Sequence, residues 1–153
     1  VQTFLTHPSF SLTASTLDNK RLGKQRVETK QILETNLAIA KYKAKFTPFS
    51  TPSNLAWKNH PAVKMWRGYE GMLAVYGGKM CKEWVARGMK DSLTEYFQSF
   101  LSLPLIYPPW MTDEKLLNRI ISTHRSSLLF KDETFYRQYF PTEEKKYGYY
   151  WPT

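Results

Sequence analysis

Apolar residues recur every three or four positions over several stretches of this chain, and strand-like alternation runs over none. That spacing belongs to helices, which turn once every 3.6 residues. The fold class it predicts is mostly α. The first dozen residues lie outside the pattern, with Pro8 as a breaker, and read as extended or irregular. Ser15 or Thr16 then stands where it can cap a helix over 17–42. Its inner stripe would be Leu22, Arg26, Thr29, Leu33, Leu37 and Ala40, and Arg26 there must snorkel or pair. Residues 43–59, with "TPFSTPSN", read as a loop. A second helix is expected from Pro61, a residue suited to the first helical position, to a stop at Gly88. Gly77 and Gly78 are its weak point. An amphipathic stretch covers 91–103, and "PLIYPPW" breaks the chain. Thr112, Asp113 and Glu114 open a further helix with Leu116, Leu117, Ile120 and Ile121 on its apolar face. A short last helix falls within 131–140, and the tail "EEKKYGYYWPT" has no helical pattern.

The length, 153 residues, fits one domain over 1–153 with a core of its own. Charge then narrows the choice of partner. Lys and Arg number 22 against 13 Asp and Glu, a formal net charge of +9. Such a surplus suits a polyanion, either nucleic acid or an acidic membrane surface. No apolar run approaches the roughly 18 residues of a membrane span, and no signal peptide opens the chain. The one cysteine, Cys81, excludes an internal disulfide and any multi-cysteine metal site, and its surroundings suit an inert small hydrophobe. Aromatic residues make up 16 % of the chain, enough for a core and for base stacking as well. A cytoplasmic setting follows, nucleoid-associated in a bacterium, or the host cell or nucleus for a virus.

The densest chemistry lies in "LDNKRLGKQRVETKQ", residues 17–31. Lys20, Arg21, Lys24, Arg26 and Lys30 are basic, and Asp18 and Glu28 are the only acids. Arg21, Lys24 and Glu28 are spaced by three and four and share a helix face. One reading is a solvated face with a Lys–Glu pair. The other is a carboxylate set inside a phosphate-binding patch, where acid–base work at a sugar would explain its presence. Gly23 is either a tolerated helix glycine or a point of close approach, for example by the N-terminal segment. His60 is either a helix cap or core-edge histidine, or a site residue beside sugar or phosphate. His124 and Arg125, followed by two serines, are candidate phosphate contacts. The three histidines show no metal-ligand spacing. In "KKYGYYWP", the aromatic residues are either pinned to the core or, beside Lys145 and Lys146, open to exposed bases.

These pieces together resemble the pyrimidine-dimer DNA glycosylases of the phage endonuclease V type, and still more an uncharacterised bacterial branch of that family. The resemblance rests on "QTFL", "LDNKRLGKQRVE", "NHPAVKMWRGYE", "HRSSLLFKD" and the closing "YxWP", and spans nearly the whole chain. It implies about three main helices packed side by side in a compact single domain, with an extended N-terminal segment threaded between them. It implies a monomer that acts on damaged double-stranded DNA, flips a base out of the duplex and needs no cofactor or metal. It sets Val1 at the nucleophile position and Glu28 at the position of the catalytic carboxylate. Family arginines flanking that carboxylate are Val27 and Gln31 here, and the one after the N-terminal residue is Gln2. Lys24 and Arg26 are the nearby cations that would compensate.

A terminal amine suits the nucleophile's task. An α-amino group has a pKa of about 7.7–8.0 against about 10.4 for lysine, so roughly a hundredfold more of it is neutral at pH 7. Attack at C1′ would give an imine, and the imine would let β-elimination cut the strand. The candidate DNA contacts are Gln2, Lys20, Arg21, Lys24 and Arg26 near the N-terminus of the site, then His60, His124 and Arg125, and Lys146, Tyr147 and Tyr150 in the tail. Other classes stay open: a non-catalytic nucleic-acid-binding module, a lyase acting only on abasic sites, and a basic protein of membrane surfaces.

Overall fold

The computed structural model describes residues 1–45 and 57–152, and these form eight helices and no strand. Most of the sequence-expected loop over 43–59 lies outside the described residues, though helix persists to Lys45.

The first helix, α1 (Phe10–Thr16), begins inside the stretch expected to be irregular and runs on through the expected caps Ser15 and Thr16. Ser9 caps it by accepting the Leu12 N–H. Its inward face carries threonines beside Phe10 and Ala14, so it shows no apolar period. The Thr13 hydroxyl accepts the N–H groups of Thr6 and His7, each at 3.2 Å. Leu17, in extended conformation, ends α1, so Ser15 and Thr16 do not cap the next helix.

Helix α2 (Asn19–Lys45) buries Leu22, Gln25, Thr29, Ile32, Leu33 and Asn36. The stripe is rotated from the expected one: Arg26 and Leu37 are half-buried and Ala40 is exposed. The polar members explain the rotation, because they bind backbone. Asn36 donates to the Val63 carbonyl at 3.0 Å, and Gln25 serves the N-terminal segment.

The expected second helix is two. Helix α3 (Pro61–Lys64) and helix α4 (Glu70–Ala86) are parted at Gly68, whose φ of 89° a side chain would resist. The break turns Trp66 inward, where its indole donates to Thr3 Oγ1 at 2.9 Å. Helix α4 runs unbroken through Gly77 and Gly78 to the stop at Gly88. A β-carbon on Gly77 would lie 2.5 Å from the Phe97 ring of helix α5 (Thr94–Gln98), so this glycine is where the two helices meet. Helix α6 (Pro109–Thr112) starts at the end of "PLIYPPW", buries Trp110 and bonds its indole to the Met65 carbonyl. Helix α7 (Glu114–Lys131) starts at the expected place, capped by Asp113, and α8 (Glu133–Tyr136) is the short last helix.

The long helices α2 and α4 pack directly on each other, and one core cluster spans the described elements. Between this pair and α7 lies the N-terminal segment. Residues 2–6 are all buried, and their backbone groups bond to Gln25 and Glu28 of α2, Tyr76 of α4, and His124 and Arg125 of α7. The N-terminal segment thus bonds to α2, α4 and α7 alike and joins α7 to the α2–α4 pair.

Candidate active site

The N-terminal segment, drawn in among the helices, brings Val1 to a cleft of about 540 Å³. Val1, Gln2 and Phe4 line it from the segment, and Lys20, Arg21, Lys24, Gln25 and Glu28 from α2. His60, Lys131, Tyr147, Tyr149 and Trp151 complete the wall. Glu28 Oε2 accepts the Gln2 backbone N–H at 3.1 Å and the Gln25 side-chain N–H at 3.3 Å. Val1 directly precedes that Gln2 N–H. Val1 and the Glu28 carboxylate, far apart in sequence, thus line one cleft, with only the Gln2 N–H between them.

His60 joins them from α3. Its Nδ1 caps the helix by accepting the Ala62 N–H at 3.0 Å, and its ring stands edge-on to Trp151 at 5.7 Å. Burial and then the Val1 ammonium hold its pKa below the ordinary imidazole value, against an opposing pull from Glu28. The same side chain thus caps α3 and lines the cleft.

The cations divide into two groups. Lys20 and Lys24 are exposed at the cleft. Arg21 lines it while pairing with Asp18 at 3.2 Å. Lys131, the last residue of α7, approaches from the far side with its ammonium 5.5 Å from the Tyr147 ring centroid. Arg26 faces elsewhere: it pairs with the buried Asp91 carboxylate and lies over Trp84 at 4.6 Å. It therefore braces α2 against the end of α4, and does not stand in for a missing family arginine. Val27 is exposed and, with Gln31, lines a neighbouring groove that shares Lys20, Lys24 and Glu28.

The histidine of α7 departs from expectation. His124 is fully buried, and its Nδ1 accepts the Leu5 N–H at 2.9 Å. Burial pushes its pKa down to about 3. It holds the threaded segment and meets no phosphate. Arg125 likewise spends its Nε on the Thr6 carbonyl at 2.7 Å and stacks over Phe140. Gly23 does mark a close approach, but by Trp84, which a β-carbon would meet at 3.0 Å, and not by the N-terminal segment.

The tail is both pinned and open. Its backbone bonds to α7 at every second residue, Lys146, Gly148 and Tyr150, through Ser126, Ser127 and Thr123, so this stretch runs along that helix. Tyr147, Tyr149 and Trp151 turn to the cleft, while Tyr150 lies under the Arg119 guanidinium at 4.0 Å. Tyr150 and Lys146 are outside the cleft lining.

Sequence reasoning missed Gln25, Phe4 and Lys131 as parts of this site. Gln25 carried one signal, a polar residue on the inner stripe between Leu22 and Thr29. Cys81 is buried, its thiol raised to about 12 by burial and by Asp91, which suits the inert role expected of it. Among the described residues no helix is long and apolar enough to cross a membrane.

A family model described as pyrimidine dimer DNA glycosylase matches residues 1–96, which include Val1, Glu28 and His60. No curated protein and no solved structure matches the chain.

Proposed function

The chain belongs to the pyrimidine dimer DNA glycosylase family, and from that membership we propose that it excises ultraviolet-damaged pyrimidines from double-stranded DNA through its N-terminal amine, then cuts the strand at the resulting abasic site. The observation that supports this reading is the hydrogen bond from the Gln2 N–H to Glu28 Oε2, which holds the residue next to Val1 against a carboxylate in a cationic cleft.

The neutral Val1 amine attacks the sugar C1′. A C1′–N bond forms, the glycosidic bond breaks, and the damaged base leaves with its bonding electrons and takes up a proton. Glu28 stabilises the positive charge that develops at C1′. The amine then loses a proton, the ring C1′–O4′ bond opens, and an imine links protein to DNA. The imine acidifies the C2′ hydrogen. Its removal, with Glu28 as the base, expels the 3′ phosphate by β-elimination. Lys20, Arg21, Lys24 and Lys131 hold backbone phosphates, and Tyr147, Tyr149 and Trp151 offer ring faces to a flipped nucleotide. Flipping costs a few kcal/mol, and less at a distorted lesion, which favours damage over intact duplex.

Borohydride trapping tests the reading. The protein is incubated with duplex DNA containing a pyrimidine dimer or an abasic site, reduced, and the cross-link mapped by mass spectrometry. A cross-link on the Val1 nitrogen is expected. A cross-link on a lysine removes Val1 from the role, and binding without any cross-link leaves a nucleic-acid-binding module. Trapping confined to abasic DNA leaves the lyase alone. Glu28→Gln should bind DNA normally and lose at least about 100-fold in cleavage rate.

A further inference from the structure

Gln25 is 1 % exposed, yet its carboxamide is engaged on every side. Oε1 accepts the Phe4 N–H at 3.0 Å and lies 2.8 Å from the Tyr76 hydroxyl, which donates to the Phe4 carbonyl at 2.6 Å. Nε2 donates to the Gln2 carbonyl at 3.0 Å and to Glu28 Oε2 at 3.3 Å. A carboxamide offers two donors and two acceptor positions; both donors and one acceptor position are in use, and the second acceptor position faces the Tyr76 hydroxyl. The side chain bonds the carbonyl of residue 2 and the N–H of residue 4, the pair that a neighbouring parallel strand would use. One side chain of α2 thus does for the N-terminal segment what a strand partner does in a sheet.

We propose that Gln25, backed by Tyr76, is the positioning residue of this site: it sets the register of the N-terminal segment along α2 and so places the Val1 amine against the Glu28 carboxylate. The inference rests on the functional reading above. Register matters here because extended chain advances about 3.3 Å per residue and reverses its faces at each step. A slip of one residue would carry the amine away from Glu28 and turn it from the cleft. The amide is also the group the place requires. A glutamate at 25 would keep an acceptor for the Phe4 N–H, but would set a carboxylate against the Gln2 carbonyl and against Glu28. Gln25 also fixes the Glu28 carboxylate itself, since its Nε2 and the Gln2 N–H share one oxygen of that group.

Three variants test this: Gln25→Met, Gln25→Glu and Tyr76→Phe, the last keeping the ring and its packing should the first two fold poorly. Each is measured for affinity to abasic-site duplex, for the rate of borohydride trapping at Val1, and for amide hydrogen exchange. DNA affinity should stay near that of the unaltered protein. Trapping should fall by about 100-fold in Gln25→Met, the loss that a misplacement of about 1 Å brings, by more in Gln25→Glu and by less in Tyr76→Phe. The Gln2 and Phe4 amides should exchange faster while those of α7 keep their protection. Trapping at the unaltered rate in a folded Gln25→Met overturns the inference and leaves the functional reading in place. Unaltered protein that traps nothing at Val1 overturns the functional reading, and the claim of catalytic placement with it. Exchange at Gln2 and Phe4 then decides whether Gln25 sets the register: unchanged rates overturn that as well.

Discussion

At the scale of single residues, His124 shows most clearly how burial reassigns a side chain. In sequence it precedes Arg125 and two serines and reads as a phosphate ligand. In the fold it accepts a backbone N–H from a residue 119 positions away. The consequence is a pH dependence with a definite sign. Folded His124 has its pKa lowered to about 3, while an exposed imidazole titrates near 6.5. Above pH 6.5 neither state binds the proton. Below it the unfolded chain binds a proton that the folded protein does not, so stability falls as pH falls from about 6.5 toward 3. The slope approaches about 1.4 kcal/mol per pH unit. Urea unfolding at pH values from 7 to 4.5 should show this decline, and His124→Asn should flatten it. An equal slope in that variant would remove His124 as the source. Asp18 and Asp91 act at lower pH. Against the opposing effect of burial, Tyr136 and Arg21 hold Asp18 below the usual carboxylate range, and Thr94 and Arg26 do the same for Asp91.

At the scale of elements, α4 carries two adjacent glycines with opposite duties. Gly77 faces Phe97 and has no room for a methyl group, whereas a β-carbon on Gly78 would meet nothing within 4 Å. Gly78→Ala should therefore raise stability by about 0.5–1 kcal/mol, the ordinary gain of alanine over glycine inside a helix. Gly77→Ala should lower it by about 1–3 kcal/mol, because Phe97 must move out of a packed position. Thermal unfolding of the two variants reads both signs, and the same sign in both would refute this account of the α4–α5 contact. The brace between α2 and the end of α4 makes a second prediction. Asp91 has its side chain 1 % exposed and relies on Arg26 as its cationic partner. Arg26→Met should cost about 3–5 kcal/mol by leaving that carboxylate unpaired. The salt dependence of its DNA binding should match that of the unaltered protein. A change in salt slope would return Arg26 to the phosphate contacts.

At the scale of the whole molecule, the net charge of +9 acquires a direction. Lys20, Lys24 and Lys131 line the cleft, while Arg26 and Arg125 are drawn into the protein's own bonds. DNA affinity should fall linearly with log salt, and Lys24→Ala and Lys131→Ala should each reduce the slope by about 1. Fluorescence anisotropy across a salt series measures this, and an unchanged slope would take that lysine off the phosphate path. The effect should be independent of base sequence, since phosphates carry none.

What the sequence determined by itself was whatever depends on near neighbours. Periodicity marked α2 and α7, Asp113 announced the start of α7, Gly88 the end of α4, and a carboxylate at 28 stood out within a basic stretch. These features rest on residues within a turn or two of each other, where helix geometry alone fixes who meets whom. The short helices α1 and α6 were not legible. A helix of one or two turns has too few positions to show a period, and the threonines of α1 are buried for their hydroxyls. Tertiary structure alone decided which basic residues face the cleft, that Gln25 answers residues 2 and 4, and that Tyr147 and Tyr149 look inward where Tyr150 does not. Each of those outcomes is a contact between segments tens of residues apart. It arises because the buried backbone groups of residues 2–6 must find partners, and those partners are held out to them by four different helices.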